Sequence, residues 1–328
     1  MKLAECDLDI SQIWMAPVNW TRPTEEWSVA HSSGAIPDSL FRLYTQAGFL
    51  SQSSAPVFLS DENHALFGYF GLLLRGMRDL GVEAQEERLN LKNALSQTYD
   101  PVKKLRGEKW DRKADIRARR HLKHLLIALS AILDTSAELV ALFFFGKIAG
   151  LRLARAEFIA IERWLAADCE QTEAALISAD EYFLEKLRGL LKPQVITAGV
   201  DSEWLPLLRL LRNKLAHTGH RLFFPSFRCG DEFLTFIPRV WPYIKEAEFE
   251  RGPTPEIPDW PSHCRQVLIQ EDLLSFADGL YYRVNTILSS ICDVLNQAYE
   301  QLGDFPVNEE ALHVLKDQKT FKFEFFPP

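Results

Sequence analysis

Along most of this chain apolar residues return every three to four positions, the period of a helix buried on one side. The clearest stripe is Leu273, Phe276, Leu280, Val284, Ile287, Ile291 and Leu295, which predicts a long bundle helix over 270–302. Another pattern starts at Ser60-Asp61, residues suited to capping, and runs through Ala65, Leu66, Tyr69, Leu72, Leu73 and Met77 to about residue 81. A more polar helix is expected over 84–97. Tyr99-Asp100-Pro101 then interrupts it, because the residue before a proline avoids helical angles.

Residues 122–151 are apolar over a length that would span a membrane. Asp134 and Glu138 sit in the middle of that stretch, and a membrane span would bury both carboxylates without partners. The stretch is therefore expected to be a central bundle helix with no membrane role. Its two acids share a face at i, i+4, either as a satisfied core or interface pair, or as groups that line a site or hold a partner cation. Further helices are expected over 151–168, running on from the previous one through Gly146 and Gly150, and over 179–191, ended by Pro193.

The period changes after residue 220. Phe223, Phe224 and Phe227, then Cys229-Gly230-Asp231, then Phe233, Leu234, Phe236 and Ile237 predict a β-hairpin over 221–240. A Pro-rich loop over 242–261 follows, and the terminal K-F-E-F-F-P-P reads as a short edge strand. Residues 1–60 are rich in Pro, Ser, Trp and Gly, with one helical stretch near 38–47. Trp14, Trp20, Trp27, Phe41 and Phe49 would be costly to leave in water, so this arm is expected to be ordered. The fold class that emerges is mainly α, a multi-helix bundle with a small β-hairpin insertion. An irregular and helical region over 1–110 followed by a bundle over 111–328 fits the pattern, and so does one elaborated domain.

Composition adds three constraints. The 47% apolar and 25% charged residues describe a globular chain. The net charge of −8 argues against indiscriminate nucleic-acid binding by the whole surface. Five scattered cysteines without a C-x-x-C, and an N-terminus without a long apolar segment, point to a reduced, cytoplasmic setting. Charge is unevenly placed, however. Residues 101–124 hold ten cations (Lys103, Lys104, Arg106, Lys109, Arg112, Lys113, Arg117, Arg119, Arg120 and Lys123) against three acids. Such a run suits a phosphate backbone, or a solvated helix face. His121 and His124 lie i, i+3 inside it, and the surrounding cations disfavour a metal there.

Among familiar chemical motifs there is no P-loop, G-x-G-x-x-G, G-x-S-x-G or H-E-x-x-H. Attention falls instead on residues 205–220, L-P-L-L-R-L-L-R-N-K-L-A-H-T-G-H. As a helix, Trp204, Leu207, Leu208, Leu211 and Leu215 gather on one side, and Arg212, Arg209, Asn213 and His217 spread over the other. Asn213 and His217 are i, i+4, whereas Arg212 and His217 lie about 140° apart around the axis. His217 falls in the last turn, where the helix dipole favours an imidazolium, and Thr218-Gly219 can close the helix.

Arg212-Asn213-Lys214-Leu215-Ala216-His217 resembles the R-N-x3-H form of the R-x4-6-H signature of the HEPN superfamily. Arg119 and His124 repeat the bare spacing, but Arg120 stands where the Asn should be and that pair opens a helix. The resemblance covers six positions and a compatible helical context. It implies a helical bundle acting as a metal-independent endoribonuclease, without a cofactor, of the toxin or antiphage defence type. Two copies would pair to form one composite site, with an antitoxin or another defence-system protein as a further partner. It also implies roles. His217 would act as general base or acid, Arg212 would hold the scissile phosphate, and Asn213 would orient either group. Arg209 with Lys103, Lys104, Lys109, Arg112, Lys113, Arg117 and Arg120 would then contact RNA. The Tyr that some family toxins carry shortly after the His is absent, since Thr218-Gly219-His220-Arg221-Leu222 follows. The other reading is a HEPN-like bundle that binds a nucleotide, RNA or a protein without cleaving.

Overall fold

The computed structural model describes residues 25–46, 61–98, 112–153, 155–167, 179–196, 204–217, 226–229, 232–238 and 268–302. These form eight helices and three short strands: α1 (Glu25–Ser32), α2 (Asp38–Gln46), α3 (Asp61–Thr98), α4 (Arg112–Phe143), α5 (Phe158–Ala166), α6 (Ala179–Val195), α7 (Trp204–His217), β1 (Ser226–Cys229), β2 (Glu232–Pro238), β3 (Leu268–Asp272) and α8 (Leu273–Leu302). The mainly α expectation holds.

The long helices α3 and α4 lie antiparallel, tied at one end by Tyr69 donating to Glu138 and at the other by Arg117 donating to Gln97 at 2.9 Å. The apolar stripe predicted for α8 is buried throughout, and α8 packs on α2, α3, α4 and α6. The boundary near residue 110 falls in the connection between α3 and α4, and both sides of it share one apolar core. α4 is apolar enough to cross a membrane by length and a mean hydropathy of 1.9, but 78% of its most apolar stretch is buried within the protein. It is the core helix of the bundle.

The N-terminal arm is more helical than its composition suggested. α1 buries Trp27 completely, and its ring stacks on Tyr44 of α2 at 3.9 Å. Arg42 of α2 donates to Asp293 of α8 at 2.5 Å, and Asn296 donates to the Ser39 carbonyl at 2.8 Å. Trp14, Trp20 and Phe49 lie outside the described residues, as does the terminal K-F-E-F-F-P-P.

Four expected boundaries shift. α3 does not break after Gly81. The glycine lets the chain pass close, since a Cβ there would sit 2.6 Å from the Ala35 carbonyl oxygen. α4 ends at Phe143 instead of continuing to 151, because Gly146 and Gly150 adopt positive φ (72° and 80°) and turn the chain toward α5. α6 continues past Pro193 to Val195. A proline near a helix end forfeits only one backbone bond, and the Ile196 N–H still reaches the Lys192 carbonyl at 2.8 Å. Finally, residues 268–272 form a strand. β3 extends the hairpin to a three-stranded antiparallel sheet in the order β1-β2-β3. Asp272 then caps α8 through the N–H groups of Leu274 and Ser275, at 3.0 and 3.1 Å.

Candidate functional site: an acid–arginine cleft beside the end of α7

The helix carrying the motif forms as its pattern requires. Trp204, Leu208 and Leu211 are buried against α4, joined by Leu205, and Leu207 is partly buried. Pro206 occupies the first turn, where a missing N–H costs nothing. The helix ends at His217, so the histidine position is its last residue. Pro206, Leu210 and Asn213 are exposed. With position 217 they follow i, i+4, i+7, i+11 spacing along one side.

Arg209, Arg212 and Asn213 border a cleft of about 260 Å³. Its other walls are Ser130, Leu133 and Asp134 of α4, Glu157, Phe158, Ile159 and Glu162 at the start of α5, and Leu205 and Leu208 of α7. α5 reaches this position because both paired acids of α4 staple the chain leading into it. Asp134 Oδ1 accepts from the Phe158 N–H at 3.0 Å. Glu138, buried and also bonded to the Tyr69 hydroxyl, accepts from the Ala156 N–H at 2.8 Å. The α5 start has no side-chain cap from Glu157, so Asp134 serves that N-terminus from another helix.

Within the cleft each arginine meets an acid. Both terminal guanidinium nitrogens of Arg209 donate to the two oxygens of Glu162, the second contact at 2.9 Å. Arg212 donates through Nη1 to Asn213 Oδ1 at 3.1 Å, and its Nη2 lies 3.5 Å from Asp134 Oδ2. Asn213 and Asp134 thus bracket one edge of the Arg212 guanidinium. Burial pushes the Asp134 carboxyl above the usual range, opposed by the Phe158 N–H and the Arg212 charge. With Glu157, three acids face two arginines, so the cleft is net acidic as it stands.

The structure therefore brings together Arg209, Arg212 and Asn213 from the expected set, with the backbone of His217 one turn beyond Asn213. It does not bring the basic run to the cleft. Lys113, Arg117 and Arg120 are exposed on the first turns of α4. By helical rise Arg120 lies roughly 21 Å from Asp134. Lys103, Lys104 and Lys109 fall outside the described residues, and of Arg112 only the backbone is described. His121 and His124 both turn to Glu87 of α3, at 2.6 and 3.4 Å. Among the described residues no group of three or more His, Cys, Asp or Glu side chains is arranged to hold a metal ion.

Sequence reasoning reached Asp134 but missed Glu162 and Glu157. For Glu162 the available signal was an adjacent charged pair, Glu162-Arg163, in the otherwise apolar F-I-A-I-E-R-W-L-A of α5, where Ile161 and Leu165 are buried on either side. What the geometry defines is a class, a helical bundle with a mixed acid–arginine cleft along one amphipathic helix. Comparison with protein-family models, with curated proteins and with solved structures gives no match for this chain.

Proposed function

We propose that this protein is a metal-independent endoribonuclease of HEPN type, working in the cytoplasm as a toxin or defence effector. Its catalytic site would be shared between two copies. The observation that carries the reading is the placement of the R-N-x3-H residues. Arg212 and Asn213 stand at the rim of a cleft, in the last turns of an amphipathic helix that ends at His217. The exposed strip Pro206–Leu210–Asn213 supports pairing with a second copy, because Leu210 leaves 40% of its surface to water at seam spacing.

In this mechanism His217 takes the proton of a ribose 2′-hydroxyl, or returns one to the leaving 5′-oxygen. Arg212, bracketed by Asn213 and Asp134, presents its remaining N–H groups to the scissile phosphate. The nucleophile is part of the substrate, so the products carry a 2′,3′-cyclic phosphate and DNA resists. A different reading is favoured by the acid-rich cleft. Arg209 is fully engaged by Glu162, which suits a HEPN-like module that binds a nucleotide, RNA or a protein without cleaving it.

The test incubates purified protein with mixed RNA in EDTA, alongside His217→Ala and Arg212→Ala. Cleavage by the wild type alone, leaving cyclic phosphate ends, supports the nuclease. Equal cleavage by all three, or by none, refutes it. A strictly monomeric mass in solution refutes the shared site by itself.

A further inference from the structure

One side of α4 stays open from its first turns to Asp134. Lys113, Arg117, Arg120 and His124 follow i, i+4, i+7, i+11 spacing and none of them is buried. Between His124 and Asp134 the only residues not buried are Ile127 and Ala131, at i+14 and i+18 of the same series, and Asp134 is i+21. The strip that begins with three exposed cations therefore runs without a turn to the carboxylate that faces Arg212 at 3.5 Å. Arg120 lies roughly 21 Å and Lys113 roughly 32 Å along the helix from Asp134. Along the α3 flank, Glu87 is met by His121 and His124, so its charge opposes a polyanion less than a bare acid would. Glu83, one turn along α3, is exposed and marks the side such a ligand would avoid.

We propose that this side of α4 is a track for single-stranded RNA, gripped at Lys113, Arg117 and Arg120 and leading to Arg212. The identity of the strand rests on the ribonuclease reading above; the track itself rests on the helix. From His124 to Asp134 the open side is only one residue wide, which matches one sugar–phosphate backbone and not the paired strands of a duplex. The span between grip and cleft corresponds to roughly four to six nucleotides, the low end of what single-strand grooves hold. Oligonucleotides too short to reach from Arg212 to Arg120 then lose the grip altogether.

The test measures fluorescence anisotropy of labelled RNA from about 4 to about 16 nucleotides. The full chain carries His217→Ala so that substrate survives. Lys113→Ala/Arg117→Ala/Arg120→Ala is compared with Arg152→Ala/Arg155→Ala/Lys192→Ala, which removes the same charge from exposed positions elsewhere. Three phosphate contacts at about 0.7 each in the salt exponent predict a slope lower by about 2, and about a hundredfold weaker binding near 0.1 M salt. That loss should appear on long strands only, spare the shortest ones, and be absent from the control triple. Equal loss in both triples, equal loss at every length, or competition by polyglutamate as strong as by RNA overturns the track. Length-dependent binding lost in the α4 triple, without cleavage by the wild type, upholds the track and removes the nuclease. Cleavage by the wild type that neither length nor the α4 triple alters removes the track and leaves the nuclease.

Discussion

Asp134 holds three things at once, and replacing it separates them. Its Oδ1 accepts the Phe158 N–H, its Oδ2 faces Arg212, and its charge is paid for against burial. In Asp134→Ala the Phe158 N–H, part-buried at the start of α5, loses its acceptor, which costs about 1–3 kcal/mol. The lost Arg212 contact adds at most about 1 kcal/mol, because both side chains keep more than a third of their contact with water or close to it. Asp134→Asn keeps an oxygen for the Phe158 N–H and removes the buried charge. Its loss of ion pairing is then offset, and stability at neutral pH should fall by less than about 1 kcal/mol. The pH dependence has a definite sign. A carboxyl whose pKa is raised on folding contributes stability that is present at low pH and lost as pH rises through the folded value. Relative to Asp134→Asn, the wild type should therefore gain stability as pH falls from neutral toward the carboxylate range. Urea midpoints for the three proteins at several pH values measure this. If Asp134→Asn is as damaging as Asp134→Ala, or if the wild type loses ground to it on acidification, the assignment of burial as the dominant influence on Asp134 is wrong.

Other consequences are equally direct. Gly81→Ala should destabilise by about 1–3 kcal/mol despite alanine's better helix propensity, because its methyl would meet backbone at Ala35; thermal unfolding would show it. Leu208→Ala, at a fully buried position of α7, should cost about 2–5 kcal/mol in chemical unfolding and leave oligomeric state unchanged. Arg209→Ala strands the Glu162 carboxylate, and the double substitution Arg209→Ala/Glu162→Ala should recover part of the loss. A cycle with no coupling between the two would discount their bidentate pairing. If Leu210 lies in a seam between two copies, Leu210→Glu should shift a dimer to monomer in light scattering while leaving the helical circular dichroism intact.

The long helices were legible because their patterns are strong and local. Each α8 stripe position named from period alone is buried, and the amphipathic face of α7 has the expected burial at Trp204, Leu208 and Leu211. The boundaries that moved depend on contacts that period cannot register. Gly81 reads as a helix breaker until Ala35 is seen packed against it. Residues 270–272 read as the start of α8 because β3 is defined by its partner β2, distant in the chain. Pro193 reads as a stop, although so near a helix end it costs only one bond. The cleft was half legible for the same reason. Arg209, Arg212 and Asn213 share a helix and could be placed together. The acids that answer them come from α4 and α5, and nothing in the spacing of residues 134, 157, 162 and 212 announces that they meet.

Those acids also sharpen what the proposed site requires. Arg209 is taken up by Glu162, and Arg212 is bracketed on one edge, so the interior of the cleft offers little to a phosphate beyond a net negative charge. A phosphate bound by Arg212 would have to reach it at the outer rim of the cleft, between Asp134 and the exposed Asn213. On that side the helix carries Leu210 and ends at His217. The histidine position is about 140° around the helix from Arg212, too far for one copy to close both groups on one phosphate. A second α7 laid across Leu210 and Asn213 would add another Arg212 and another His217 to the same outer face. It would also cover apolar surface that is otherwise left in water. The proposed chemistry and the exposed seam thus make the same demand, and both fail together if the protein proves to be a monomer at every concentration that supports RNA cleavage.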